Sequence, residues 1–500
     1  MKLFGGGKPD HPMADAKDAR RILEQLPAQD AVKALDELAH WHESLSLAEG
    51  FAPAQRIELL VLVDDAAQPR ARKLTRDYLG QALGSRFQEN RLWTALHEYW
   101  RQAGLAFARG VDLFLQGAKG AEAARGTLPL LLARALRAAA QQIKWMHMRY
   151  GPYDYAVWGV LNRVYAFAEA RRLAQVSVTL YPGLNAQSTP TLEFARAALF
   201  SAAAPEGLLP AEIDLAERIV GELAGHFAIA AAPAPGLPYW TDLDKSMAPQ
   251  RALQPPAPAP GLRCFGAGPA LEEVKLLAER IRATDALPSG LNLVQGDSPE
   301  MVLEVLEHLS LYWSPQSPER KHQRHRVSSL LTVASGLKGV MDTLAAAPAS
   351  TAETWVIENV SAGGFGALVP QVKGDWLRVG ALVAIQPEGG NNWVVGMIRR
   401  VSKNAGQQAR VGIQTLSRVP AVSQFAVSGA RNITEQGVLL RGNDPGSSDV
   451  QIALRPGVFA PGQNLEATRD GRRHIYMPTG FGERGEDYEI GRFRELVRES

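Results

Sequence analysis

One cysteine, Cys264, is found among 500 residues. That excludes an intramolecular disulfide framework and a zinc cage built from cysteines, and it fits a reducing cytosol. Neither sign of charge is in excess. Fifty-four Lys and Arg face 52 Asp and Glu, a formal net charge of +2, which excludes a globally polybasic nucleic-acid binder but not a local basic patch. Long apolar runs are missing as well. Stretches such as Thr127–Leu132 fall far short of the ~20 residues a membrane helix needs, so no membrane insertion is expected. The opening MKLFGGGKPDHP lacks the apolar centre of a signal peptide. It reads as a flexible tail, residues 1–13, and the expected location is cytoplasmic.

The common catalytic signatures are scarce too. Gly5–Gly7 before Lys8 lacks the spaced glycine and the Ser/Thr of a phosphate loop, and no Gly-x-Ser-x-Gly elbow occurs. His97-Glu98 lacks the second histidine of a zincin motif, and His40-Trp41-His42 places its imidazoles in different directions on a helix. Trp145-Met146-His147-Met148 continues an apolar helix face and reads as core. Asp64-Asp65 is a lone acidic pair near a helix bend. Gly480-Phe481-Gly482-Glu483-Arg484-Gly485 has the spacing of a dinucleotide fingerprint but no room for a βαβ unit after it, and reads as a loop. An enzyme is not expected.

What is present is an ordinary globular composition, 46% hydrophobic and 21% charged. At roughly 100–200 residues per domain, several domains are expected. The chain has two textures. From about Ala14 to Trp313 it is rich in Ala, Leu, Arg, Glu and Gln, with apolar residues three and four apart. Leu132, Leu136, Ile143 and Met146 make one face of a helix opening at Thr127, with Pro129 in its first turn. Ser298 is a suitable N-cap for a second helix running to Trp313, with Pro299 at its first position. Further helices are expected at 29–46, 54–81, 89–117, 154–175, 188–202, 210–227 and 269–284. Eight of the 32 prolines fall in 231–260, a stretch read as a linker or as a crossover lying on the helical domain.

After Arg326 short strands take over, at Ser329–Gly336, Glu353–Asn359, Phe365–Val369, Ala381–Gln386, Trp393–Val401 and Ala409–Thr415. Turns such as Gly389–Asn392 separate them. Six evenly spaced strands predict a small antiparallel barrel. Five further runs follow, at Gln424–Val427, Val438–Leu440, Val450–Leu454, Leu465–Thr468 and His474–Met477. The expected fold is therefore multidomain, α then β: an N-terminal all-α helical bundle, a small antiparallel β-barrel and a C-terminal β extension. The expected domains are 14–230 (all-α), 231–265 (linker or crossover), 266–315 (further helices), 316–418 (barrel) and 419–500 (extension or second β module).

Two pieces of the β region carry chemistry. Arg320-Lys321-His322-Gln323-Arg324-His325-Arg326 puts four fixed positive charges and two histidines in seven residues, and Asn359-Val360-Ser361-Ala362-Gly363-Gly364 is a strand end running into a glycine turn. A charge run alone is most often a solvated boundary, and an Asn-x-Ser turn alone is most often local capping. In this order, followed by Trp393–Val401 and Val411–Gln414, they resemble the PilZ domain family. That family comprises small β-barrels that bind the bacterial second messenger cyclic di-GMP. Its Arg-x-x-x-Arg segment is matched by Arg320 and Arg324, and its (Asp/Asn)-x-Ser-x-x-Gly turn by Asn359, Ser361 and Gly364. The resemblance covers about Arg320–Ser417 and implies ligand binding by Arg320, Arg324, Arg326, Asn359, Ser361, Gly363 and Gly364.

The arginine spacing departs from the family pattern, in which the second arginine directly precedes the first apolar residue of the strand. Here Arg326 precedes Val327. Either Arg320 and Arg324 are the pair and the strand starts late, or Arg324 and Arg326 form an altered clamp; Arg324 is common to both. The chemistry suits the ligand, because an arginine fork meets the O6 and N7 acceptors of guanine with two parallel hydrogen bonds and its plane stacks on purines. The resemblance thus implies a bacterial signal-transduction receptor with no cofactor and cyclic di-GMP as ligand. Ligand closure would reorient the helical domain or change its binding of a protein partner. The alternative is a degenerate adaptor that binds only proteins. Single-stranded nucleic acid is the least favoured partner, given the near-zero net charge.

Overall fold

The structure is a computed structural model that describes residues 9–80, 85–183, 187–319, 322–346, 352–427, 434–442, 447–469 and 471–498. Contacts divide the chain into two compact units. The first comprises Met1–Arg149, Tyr153–Pro205 and Pro210–Pro318, and the second Tyr150–Pro152, Glu206–Leu209 and Glu319–Ser500.

The first unit is helical. Its helices are α1 (Ala16–Glu24), α2 (Ala31–Leu47), α3 (Pro53–Gly80), α4 (Arg86–Leu115) and α5 (Leu128–His147). They continue as α6 (Ala156–Ala170), α7 (Pro190–Ala202), α8 (Pro210–Leu223), α9 (Ala270–Thr284) and α10 (Pro299–Trp313). Local chemistry sets their starts. Asp15 accepts from the Lys17 and Asp18 amides and Asp30 from Lys33, each satisfying a backbone donor that the first turn leaves open. Thr189 caps α7 and Ser298 caps α10, both with proline next in line.

Helix α5 lies at the centre and is buried on nearly every side, so the charges it carries must find partners inside. Arg134 sits between Asp64 (3.0 Å) and Asp65 (2.6 Å) and also donates to the Leu180 carbonyl. Tyr99 and Gln68 donate to the same Asp64 carboxylate. The acidic pair of the sequence is thus the counter-charge of a buried arginine. Pro69, one turn on, removes the amide that would bond the Asp65 carbonyl, which places the pair at a weak point of α3. Deeper along α5, Lys144 meets Asp214 at 2.5 Å and Arg137 meets Glu193 at 2.5 Å.

Alongside these helices the unit holds a strand pair, β1 (Val178–Thr179) with β2 (Gln187–Ser188), and a four-stranded sheet. The sheet is formed by β3 (Ala228–Ala230), β4 (Tyr239–Asp242), β5 (Gln250–Arg251) and β6 (Leu262–Gly266), in the order β3-β6-β4-β5. The proline-rich stretch, read from sequence as a linker or a crossover lying on the helical domain, thus holds strands β4 and β5 and leads into β6. Tyr239 within it is buried, donates to the Tyr312 carbonyl at 2.5 Å, and lies under the Arg251 guanidinium.

The second unit consists mainly of two closed six-stranded antiparallel barrels. The first uses β7 (His325–Ser335), β8 (Glu353–Ser361), β9 (Gly364–Val369), β10 (Leu382–Pro387), β11 (Val394–Lys403) and β12 (Ala409–Ser417), with helix α11 (Gly336–Leu344) after its first strand. The second uses β13 (Ala421–Val427), β14 (Thr434–Arg441), β15 (Asp449–Leu454), β16 (Leu465–Arg469), β17 (Arg472–Arg484) and β18 (Glu489–Arg498). Numbered within each barrel, both have the cyclic order 1-2-3-6-5-4, closed between strands one and four.

The barrels share one apolar core. Ala334, Leu337, Val340, Leu382, Val395 and Met397 of the first pack with Val438, Leu440, Ala453, Tyr488 and Ile490 of the second. Strand β18 has no counterpart among the strand runs read from sequence. From Gly491 on, alternate residues are buried (Gly491, Phe493, Glu495), with exposed arginines at 492 and 494, so charge masks the period. The Gly480–Gly485 stretch is not the loop expected. Most of it belongs to β17, paired with β18 through two register shifts.

Candidate functional site

In the first barrel the described part of the basic segment, from His322 on, lies beside the Asn359–Gly364 turn. Strand β7 begins at His325 and pairs antiparallel with the end of β8, putting His325 opposite Val360 and Arg326 opposite Asn359. A register shift follows between Arg326 and Ser329; such bulges bend a strand and redirect its side chains. Strand β8 then turns through Ala362 and Gly363 into β9, with Ser361 opposite Gly364.

That turn is held from three directions. The Ser361 hydroxyl donates to the Gly364 carbonyl at 3.3 Å, and the Thr415 amide donates to the Gly363 carbonyl at 3.0 Å. Arg418, just past the end of β12, donates to the Ala362 carbonyl at 3.0 Å. Gly364 is buried where β9 meets β12, and a Cβ there would collide with the Ile413 carbonyl, so only glycine lets the backbones approach this closely. A Cβ on Gly363 would meet the His322 ring at 2.8 Å, which locates the basic segment directly against the turn.

Arg324 and Arg326 are exposed, Asn359 and Ser361 half-buried, and Gly363 partly covered. Arg320 and Lys321 lie outside the described residues. Among the described residues, neither Arg324, Arg326 nor Arg418 meets a carboxylate, and the Asn359 amide has no hydrogen-bond partner. Elsewhere in this unit arginines are widely neutralised: Arg399 by Glu483, Arg400 by Glu206 and Arg410 by Glu358. An uncompensated cationic edge beside a free amide and a glycine turn is suited to an anionic, hydrogen-bonding ligand. Arg418 escaped sequence reasoning, because a lone arginine after a strand carries no local signal.

The other motifs weighed in sequence have structural explanations. His42 is fully buried, and neither ring nitrogen has a hydrogen-bond partner. Burial, aided by the Arg134 charge, pushes its pKa down to about 3 and keeps it neutral. Trp145, Met146, His147 and Met148 are all buried in the helical unit. Among the described residues no group of three or more His, Cys, Asp or Glu is placed to hold a metal ion, and no helix is long and apolar enough to cross a membrane. A cleft of about 500 Å³ lies beside α6 in the helical unit, lined by Gly159, Arg163, Asp244, Lys245 and Ser246 among others.

Comparison with known families bears on the helical unit. Residues 17–234 match the family model for the N-terminal domain of the cyclic-di-GMP receptor FimW. The match runs from α1 through β3 and stops short of both barrels. No curated protein matches the chain.

Proposed function

We propose that this chain is a non-enzymatic receptor for cyclic di-GMP, with the ligand bound at the PilZ-like first barrel. Arg324, with Arg320 or Arg326, holds it from one side; Asn359, Ser361, Gly363 and Gly364 hold it from the other. The observation that carries this reading is the pairing of Arg326 opposite Asn359, which sets carboxylate-free arginines beside the turn. The FimW-type match over residues 17–234 supports the same ligand from an independent part of the chain. The guanine edge accepts two parallel bonds from an arginine fork, and the phosphates accept charge-assisted ones. The short polar side chains and the open glycine backbone complete the contact set.

The ligand orders the segment before β7, which directly follows the helical unit, and so switches the orientation or partner binding of that unit. Calorimetric titration tests the binding step. Saturable heat with cyclic di-GMP, absent with GTP and clearly weakened in Arg324→Ala, is the expected result; no heat with the folded wild-type protein would refute it. Solution scattering tests the switch, and identical profiles with and without saturating ligand would refute that part. The altered arginine spacing favours one other reading, a PilZ-like adaptor that binds proteins without nucleotide, and the same titration separates the two.

A further inference from the structure

Arg418 occupies the short connection between the barrels, after β12 ends at Ser417 and before β13 begins at Ala421. Its backbone is pinned. Ser417 is buried, its hydroxyl accepts from the Val419 amide at 3.3 Å, and Pro420 restricts the residue before it. Its side chain, in contrast, is exposed, and its guanidinium lies on the turn through one bond to the Ala362 carbonyl.

A guanidinium has five N–H donors, and here one neutral carbonyl takes up a single Nη2 contact. Several arginines of the second barrel and its edges are held by acids, Arg441 by Glu495, Arg455 by Glu435, Arg473 by Glu466 and Arg484 by Glu489. Among the described residues Arg472 and Arg492 are not, and they lie on strands away from the turn. Arg418 meets none among the described residues. A phosphodiester would offer it what the carbonyl does not, two anionic oxygens in the geometry of its fork.

We propose that Arg418 is a further ligand-binding residue, which takes a phosphate of the nucleotide bound at the Asn359–Gly364 turn. This rests on the receptor reading above. In the free protein Arg418 is parked on the turn carbonyl. On binding it moves to the phosphate, so the connection leading into the second barrel also reports occupancy of the first.

The test compares wild type, Arg418→Ala, Arg418→Lys, Arg324→Ala and Arg473→Ala by titration with cyclic di-GMP at low and high ionic strength. Thermal melts confirm that each variant is folded. Arg418→Ala is expected to lose about tenfold or more in affinity, with a weaker dependence on salt because one fewer charge meets the ligand. Arg418→Lys should keep the salt dependence but lose part of the affinity, and Arg473→Ala should match wild type. Wild-type affinity and salt dependence in Arg418→Ala, alongside loss in Arg324→Ala, would overturn the role of Arg418 and leave the receptor reading intact. Absence of binding by the wild-type protein would overturn both.

Discussion

The two barrels have the same strand order and closure, yet one carries a candidate ligand site and the other does not. In the first, strands two and three are joined by a tight turn, Ala362–Gly363, with the sequence Asn359-x-Ser361-x-x-Gly364. In the second, the same junction is the longer stretch 442–448, where no such spacing occurs. A threonine version of the spacing, Asn432 to Gly437, does exist, but it falls at the start of the second strand, β14. Among the described residues both barrels hold arginines with and without acid partners, so placement is what differs. In the first barrel acid-free Arg326 lies opposite Asn359 and Arg418 reaches the turn at Ala362, whereas Arg441 and His474 of the second barrel both meet Glu495 at 2.7 Å. Fold is held in common and chemistry is not; function lies in what is mounted on the strands.

The sharpest way to break this contrast is to block both barrels with the same small change. Gly364→Ala forces a Cβ against the Ile413 backbone and should abolish cyclic di-GMP binding in calorimetry. In Gly437→Ala the new Cβ would lie 2.8 Å from the Ala453 carbonyl. That should lower the melting temperature while leaving the affinity of the folded protein unchanged. Equal loss of binding in both would mean that the site is not confined to the first barrel.

Next in size is acid sensitivity, which distinguishes the helical unit. His42 is neutral when folded, with its pKa depressed to about 3, so the unfolded chain takes up a proton first. Its stabilising contribution is complete above about pH 6.5 and is lost as pH falls towards 3, at up to ~1.4 kcal/mol per pH unit. Denaturant unfolding across that range should show the slope, and His42→Leu should flatten it. Glu217 acts lower down. Burial opposes its ionisation, but Lys144, Arg196 and Arg137 outweigh burial and hold its pKa at about 2. That contribution is present above about pH 4.5 and disappears as pH falls towards 2.

Single arginines of the first barrel come next. Arg324→Ala should weaken binding by about 1–3 kcal/mol if it makes a bidentate guanine contact. Smallest of all is removal of an exposed ion pair in the second barrel. Arg455→Ala, which frees Glu435, should change stability by less than about 1 kcal/mol and leave affinity as it was.

Much of this architecture was legible in the residues, for reasons that differ by element. The six strands of the first barrel show because their apolar residues recur between Gly- and Asn-rich turns. Helix α10 shows because Ser298 and Pro299 announce it. Helix α11 did not show: Gly336 and Gly339 interrupt it, and it is held by burial of Leu337 and Val340 in the shared core. Strands β4 to β6 were hidden among prolines. Their pairing joins residues too far apart for any local pattern to mark.

The site divides the same way. Its residue types and spacing could be read directly, since Arg-x-x-x-Arg and Asn-x-Ser-x-x-Gly are local strings. The sequence by itself determined the helical and strand textures, the near-neutral charge and the turn chemistry, because these follow from neighbours along the chain. Only the tertiary structure decided that Arg326 faces Asn359, that Arg418 reaches Ala362 across 56 residues, and that Asp64 answers Arg134 across 70. Register and burial are set by packing among distant segments, and a buried or exposed charge acquires its role from the partner that packing supplies or withholds.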